Sequence, residues 1–237
     1  MITSQDNEKL KMVRKLSQKK YREKLGLFVT EGEDLARAGL AAGFEPRALL
    51  VHPDCEVDGE PVEPLLLERA SGLASGTRVI GVWHQRWAET VKETCVFLDA
   101  LSDPGNMGTI IRTVDALLDA TVVVGPGSVD PYAPISVRAS MGSIFSQPLL
   151  KASIDQTPEP RVAMVASGGE WPGGHSARVT VVLGSEREGI QQVVLNQCQE
   201  SWTIPLRQGR AESLNVAAAA AIACERISST PVVGDKG

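Results

Sequence analysis

Along the chain, short apolar runs alternate with stretches of helical periodicity. Leu10, Val13 and Leu16 recur among Lys and Arg, which predicts a helix over 4–24 with a thin apolar stripe that Leu25 could extend. A short strand follows at 27–29. A helix over 31–42 stops at Gly43, a residue suited to the left-handed turn after a helix. Strands at 48–52 and 79–82 flank a helix at 62–71, completing a small α/β module. A polar connector runs over 83–93. Beyond it the pattern predicts strands at 95–98, 121–125, 161–166, 179–184 and 202–204, with helices at 108–118, 137–145, 189–197 and 216–227. The runs VVVG and VVLG suit strands buried on both faces, and strands separated by helices imply a largely parallel, doubly covered sheet. The expected fold class is therefore α/β throughout.

Length and composition narrow this picture. With 237 residues, 43% of them hydrophobic, the chain can fill one large domain or two small ones. No apolar run is long enough to span a membrane, and the first residues lack the apolar stretch of a signal peptide. Cys55, Cys95, Cys198 and Cys224 are scattered, as are His52, His84 and His175. This argues against a zinc site and for reduced thiols in the cytoplasm. The net charge of −5 hides an asymmetry: residues 1–24 carry eight basic and three acidic side chains, leaving −10 for the remainder. Lys15, Lys19, Lys20 and Arg22 thus form a candidate phosphate-binding face on an acidic protein, or a merely solvated helix surface.

Three loops at predicted strand ends, where open α/β sheets bind ligands, carry the candidate chemistry. The first, LDALSDPGNMGTIIRT, turns sharply into a helix and offers Asn106 and Arg112; a guanidinium there can hold a phosphate in a fixed fork. The second, VVLGSEREG, offers Gly184 for close backbone approach and Glu186 as an acceptor. The third, IPLRQGRAESLNVAAAAAIACER, places Ser213, Leu214 and Asn215 at the mouth of an alanine-rich helix, where free N–H groups can bind a ligand or be capped by Ser213 or Asn215. No P-loop, dinucleotide fingerprint or nucleophile elbow is present.

The segments PGNMGTIIRT, VVLGSEREG and IPLRQGRAESLNVAAA, with VRASMGSIF between the first two, resemble the signature motifs of the SpoU (TrmH) family of S-adenosylmethionine-dependent RNA ribose 2′-O-methyltransferases. The front module is similar to the L30e-like substrate-binding domain of many members, with FVTEG at a matching place. The resemblance implies a substrate-binding domain over 1–88, a linker over 89–94, a methyltransferase domain over 95–229 with its C-terminal segment in a deep trefoil knot, and a tail over 230–237. It implies a cofactor pocket of Gly184, Ser185, Ile204, Leu206, Ser213 and Leu214. It also implies a catalytic set of Asn106, Arg112, Glu186, Ser213 and Asn215, RNA contacts at Arg112 and Arg138 besides the basic helix, and a homodimer without metal or membrane. Ribosomal RNA, specifically 23S, is the expected substrate. Transfer RNA and a non-catalytic RNA-binding role stay open, and a nicotinamide oxidoreductase is disfavoured by the missing fingerprint. The loop between Ile-Pro and Ser-Leu-Asn is one residue longer than the family commonly has, which leaves the course of 208–211 undetermined.

Overall fold

The structure is a computed structural model that describes residues 1–73, 76–172, 178–207 and 210–229. It divides into two compact units. Unit 1 comprises residues 1–86 and 130–146, and unit 2 comprises 87–129 and the chain from 147 onward. The whole of the expected tail, 230–237, and Gln208 and Gly209 of the motif loop lie outside the described residues.

In unit 1, helices α1 (Glu8–Leu16) and α2 (Lys19–Leu25) lead into strand β1 (Leu27–Glu31). Helix α3 (Glu33–Ala41), strands β2 (Ala48–Val51) and β3 (Glu60–Pro61), helix α4 (Pro64–Ala70) and strand β4 (Val79–His84) follow. The sheet order is β1-β4-β2-β3, antiparallel except for the β2–β3 pair. Side chains alternate across it. Leu27, Val29, Ile80 and Val82 join Leu10, Val13, Leu16 and Leu67 in one core. Phe28 and Trp83 face the other way, and the Trp83 indole N–H donates to Thr30 Oγ1 at 2.8 Å.

That second face is covered by 130–146, which holds helix α6 (Pro134–Ala139) and a 3₁₀ turn at Ser143–Phe145. The Phe145 ring packs among Phe28, Phe44 and Trp83 with centroids 5.6, 4.9 and 5.1 Å away. Gly39 makes room for it, because a Cβ there would sit 2.8 Å from Phe145 Cζ. The single helix expected over 137–145 is therefore a shorter helix and a 3₁₀ turn, separated where Met141 and Gly142 take positive φ values of 50° and 101°.

The expected continuous helix over 4–24 is broken at Ser17–Gln18. Arg22 explains the break. Its Nη1 donates to the carbonyls of Leu16 and Ser17 at 2.9 and 2.8 Å, taking acceptors a continuing helix would have used. Its Nε donates to Asp130 Oδ2 at 2.8 Å, and the residue is 3% exposed. Arg22 is thus corrected from an RNA contact to a buried structural cation. Leu25 does not extend the apolar stripe; it is 43% exposed.

In unit 2 six parallel strands run in the order β10-β8-β9-β5-β6-β7. They are β5 (Thr94–Leu98), β6 (Thr121–Val124), β7 (Leu149–Lys151), β8 (Arg161–Met164), β9 (Val179–Leu183) and β10 (Glu200–Trp202). Every residue of the neighbouring β5 and β9 is buried, which explains why their sequences are apolar apart from Thr94 and Thr180. Helix α5 (Pro104–Leu117) begins earlier than expected: Asp103 caps it by accepting the Asn106 N–H at 2.7 Å, and Pro104 takes the first turn. Helix α7 is only Gln192–Leu195, because the chain from Ser185 to Gly189 forms a tight bridged turn instead. Helix α8 (Val216–Ser228) is capped by Asn215, whose Oδ1 accepts the Ala217 N–H at 2.8 Å, and packs along α5. No helix among the described residues is long and apolar enough to cross a membrane.

Candidate active site

The carboxyl ends of β8, β9 and β10 open into a cleft of about 470 Å³. Its floor and apolar walls come from Met164, Val165, Ala166, Leu183, Ile204, Leu206, Val216 and Ala219, and its polar groups from Ser185, Glu186, Arg187, Ser213 and Asn215. All six cofactor residues named from the motifs, Gly184, Ser185, Ile204, Leu206, Ser213 and Leu214, line it. Its size and mixed lining suit a ligand with an apolar ring and several polar groups.

The turn carrying Glu186 is built by Gly184 and Gly189. Ser185 and Gly189 exchange backbone hydrogen bonds of 2.9 and 3.0 Å, and Gly189 has a φ of 71°. A Cβ on Gly184 would lie 2.1 Å from the Gly189 carbonyl carbon, so only glycine lets the turn fold back this closely.

From this turn the Glu186 carboxylate reaches the start of α5. It accepts from Ser102 Oγ at 2.7 Å, from Asn106 Nδ2 at 2.8 Å, and more distantly from the N–H groups of Ser102 and Asp103 at 3.4 and 3.3 Å. Partial burial pushes the carboxyl up, but the hydrogen bonds from Asn106 and Ser102 outweigh it and hold the group below its ordinary value. Asn215 Nδ2 in turn donates to Asn106 Oδ1 at 3.1 Å. One chain of polar contacts therefore links Ser102, Glu186, Asn106 and Asn215 along the cleft.

The other candidates lie elsewhere. Arg112 is exposed on α5 and is not part of the cleft lining. Arg138 belongs to unit 1, where its Nη2 lies 3.7 Å from Glu31 Oε2. Lys15, Lys19 and Lys20 are exposed in unit 1; Lys19 lies 3.9 Å from Glu23, and Lys20 stands over the Tyr21 ring. Sequence reasoning left out Ser102 and, among the lining residues, the segment Met164 to Ala166. Ser102 sits in the first motif, where its hydroxyl next to Asp103 was a legible signal. Met164, Val165 and Ala166 carry only a strand pattern and could be found only from the sheet order.

The chain matches the model of the SpoU rRNA methylase family over 93–225 and that of the MRM3-like substrate-binding domain over 7–90. It is 31% identical to the 23S rRNA (guanosine(2553)-2′-O)-methyltransferase RlmP of Bacillus subtilis, across 93% of this chain and 96% of that protein. It is 32% identical to the 23S rRNA (adenosine(1067)-2′-O)-methyltransferase of Streptomyces laurentii, across 58% and 55%. Among solved structures, the AdoMet-bound rRNA methyltransferase from Sinorhizobium meliloti superposes with a TM-score of 0.82 at 29% identity, covering 94% of this chain and 95% of that one. The parallel sheet with its cleft, the motif residues lining that cleft and the match over 93–225 agree: the chain belongs to the SpoU rRNA methylase family.

Proposed function

We propose that this protein transfers a methyl group from S-adenosylmethionine to a ribose 2′-hydroxyl of 23S ribosomal RNA in the cytoplasm. The observation that carries the reading is the cleft itself, where the motif residues supply an apolar slot beside the Glu186–Asn106–Asn215 array. The donor set fits the cofactor. Leu183, Ile204, Leu206 and Ala219 offer an apolar seat for an adenine, Ser185, Ser213 and the adjoining backbone can meet a ribose, and the ionised Glu186 is a favourable neighbour for a sulfonium. When bound, the cofactor supplies an electrophilic methyl whose leaving group is a neutral thioether, so no general acid is required.

The protein's task is then to align the hydroxyl and stabilise the oxygen as it loses its proton. A carboxyl held below its ordinary value is a weak base, so Glu186 serves here to orient Asn106 and, through it, Asn215. Arg112 clamps the phosphate beside the target ribose; its exposure outside the cleft means that bound RNA or a second subunit must bring it to the reacting group. We therefore include a homodimer in the proposal. Threading of the segment that ends in α8 into a trefoil knot also belongs to it, and the packing of α8 along α5 and beside β9 supports it. Lys15, Lys19, Lys20 and Arg138 are proposed RNA contacts of unit 1.

The decisive experiment combines calorimetric titration with S-adenosylmethionine and mapping of ribose methylation in ribosomal and transfer RNA, with and without the gene. Methylation lost from transfer RNA alone would replace the substrate; no cofactor binding would end the reading. Arg112→Ala should abolish methyl transfer while leaving cofactor affinity within about threefold of wild type, since it removes a contact made to substrate alone.

A further inference from the structure

Asp99 follows the last residue of β5 and is 1% exposed. Its backbone N–H continues the ladder to Leu183 at 2.8 Å. Both carboxylate oxygens accept hydrogen bonds: Oδ2 accepts the Gln191 backbone N–H at 2.6 Å, and Oδ1 accepts Gln191 Nε2 at 2.8 Å. Among the described residues no cation pairs with it. Both hydrogen bonds of this buried side chain go to a single residue, Gln191.

The position of Gln191 gives the carboxylate a task. The excursion that carries Glu186 into the cleft leaves β9 at Gly184 and ends at Gln191, which caps α7. The departing end is fixed by the sheet; Asp99 fixes the returning end. The tip of the same excursion is held by Ser102, Asp103 and Asn106, which come from the loop and helix start just beyond Asp99. The two chain segments are thus tied twice, at the base by Asp99 and at the tip by Glu186. Besides the base tie, the returning end has the Ser185–Gly189 bridge, the packing of Ile190 against the core and α7, a helix of only four residues.

We propose that Asp99 is a positioning residue for methyl transfer, acting through Gln191 to hold the 184–191 excursion in the shape that lines the cofactor cleft. This rests on the cleft being the S-adenosylmethionine site. Asp99→Ala should weaken S-adenosylmethionine binding by about tenfold or more, the scale expected for losing hydrogen bonds to a charged group. Asp99→Asn should restore affinity to within about threefold, because its oxygen can take the backbone N–H while its amide donates to a flipped Gln191 side chain. Gln191→Ala, an exposed truncation that opens no cavity, should fall between them.

Amide hydrogen exchange on the free protein reads the same tie without cofactor. In Asp99→Ala and Gln191→Ala, exchange should quicken over 185–191 while β5 and β9 keep wild-type protection. Wild-type affinity and wild-type exchange over 185–191 in both variants would overturn the proposal, as would a loss of protection spread evenly over unit 2. Failure of the wild-type protein to bind S-adenosylmethionine would instead sink the functional reading, leaving the exchange pattern to decide the tie.

Discussion

Glu186 shows how single side chains set the chemistry of the cleft. Hydrogen bonds from Asn106 and Ser102 hold its carboxyl below the ordinary value of 4.5 despite some burial. A carboxyl lowered in the folded state stabilises the fold when ionised. That contribution is complete above the unfolded value and is lost as pH falls through the folded one. The urea midpoints of wild type and Glu186→Gln should therefore differ by a constant amount near neutrality and converge below about pH 4.5. A gap that persists unchanged into acid would mean the charge is not its source. Arg22 belongs to the same scale and corrects its sequence reading. Replacing it with Ala would strand Asp130 in a buried site, at a cost of about 3–5 kcal/mol in unfolding free energy. Denaturant unfolding monitored on unit 1 measures this. From sequence Arg22 looked like its lysine neighbours, because nothing local shows that Asp130 waits for it.

Among the elements, α8 answers the question its alanines raise. Ala217, Ala220, Ala223 and Cys224 are buried along one side, so the small side chains set a close approach to α5, while Ala219 faces the cleft. Two neighbouring substitutions should then separate cleanly. Ala220→Leu overfills a fully buried position and should cost about 1–3 kcal/mol in stability by urea unfolding. Ala219→Leu should leave the midpoint nearly unchanged but weaken S-adenosylmethionine binding, read by calorimetry. The basic helices make a different prediction. Neutralising Lys15, Lys19 and Lys20 together should reduce the salt slope of RNA binding by about 2, near the value for three contacts to single-stranded phosphates. An unchanged slope would remove this face from the interface. Long buried strands and capped helices were legible in sequence because periodicity is local. The breaks at Ser17 and Met141 were not: Arg22 takes the Leu16 and Ser17 carbonyls while held by the distant Asp130, and Phe145 packs against the distant Trp83.

For the whole molecule, the proposal that Arg112 meets the reacting group through a second subunit has a direct consequence. Arg112→Ala and Asn215→Ala should each be inactive alone, yet recover part of the activity when mixed and allowed to exchange subunits. Sedimentation velocity would show the dimer, and a monomer at working concentration, or mixed variants that stay silent, would confine the site to one chain. Sequence by itself determined the α/β class, the parallel character of the second sheet and the three motif loops, because hydrophobic period and turn chemistry are written residue by residue; the expected cofactor residues came instead from the resemblance of those loops to a family. Tertiary structure alone decided that 130–146 packs into unit 1, that Arg22 is buried, that Met164 to Ala166 complete the cleft, and that Asp99 holds Gln191. These depend on partners far apart along the chain, brought together by the order of the strands, and no local pattern encodes which distant group will satisfy a buried charge.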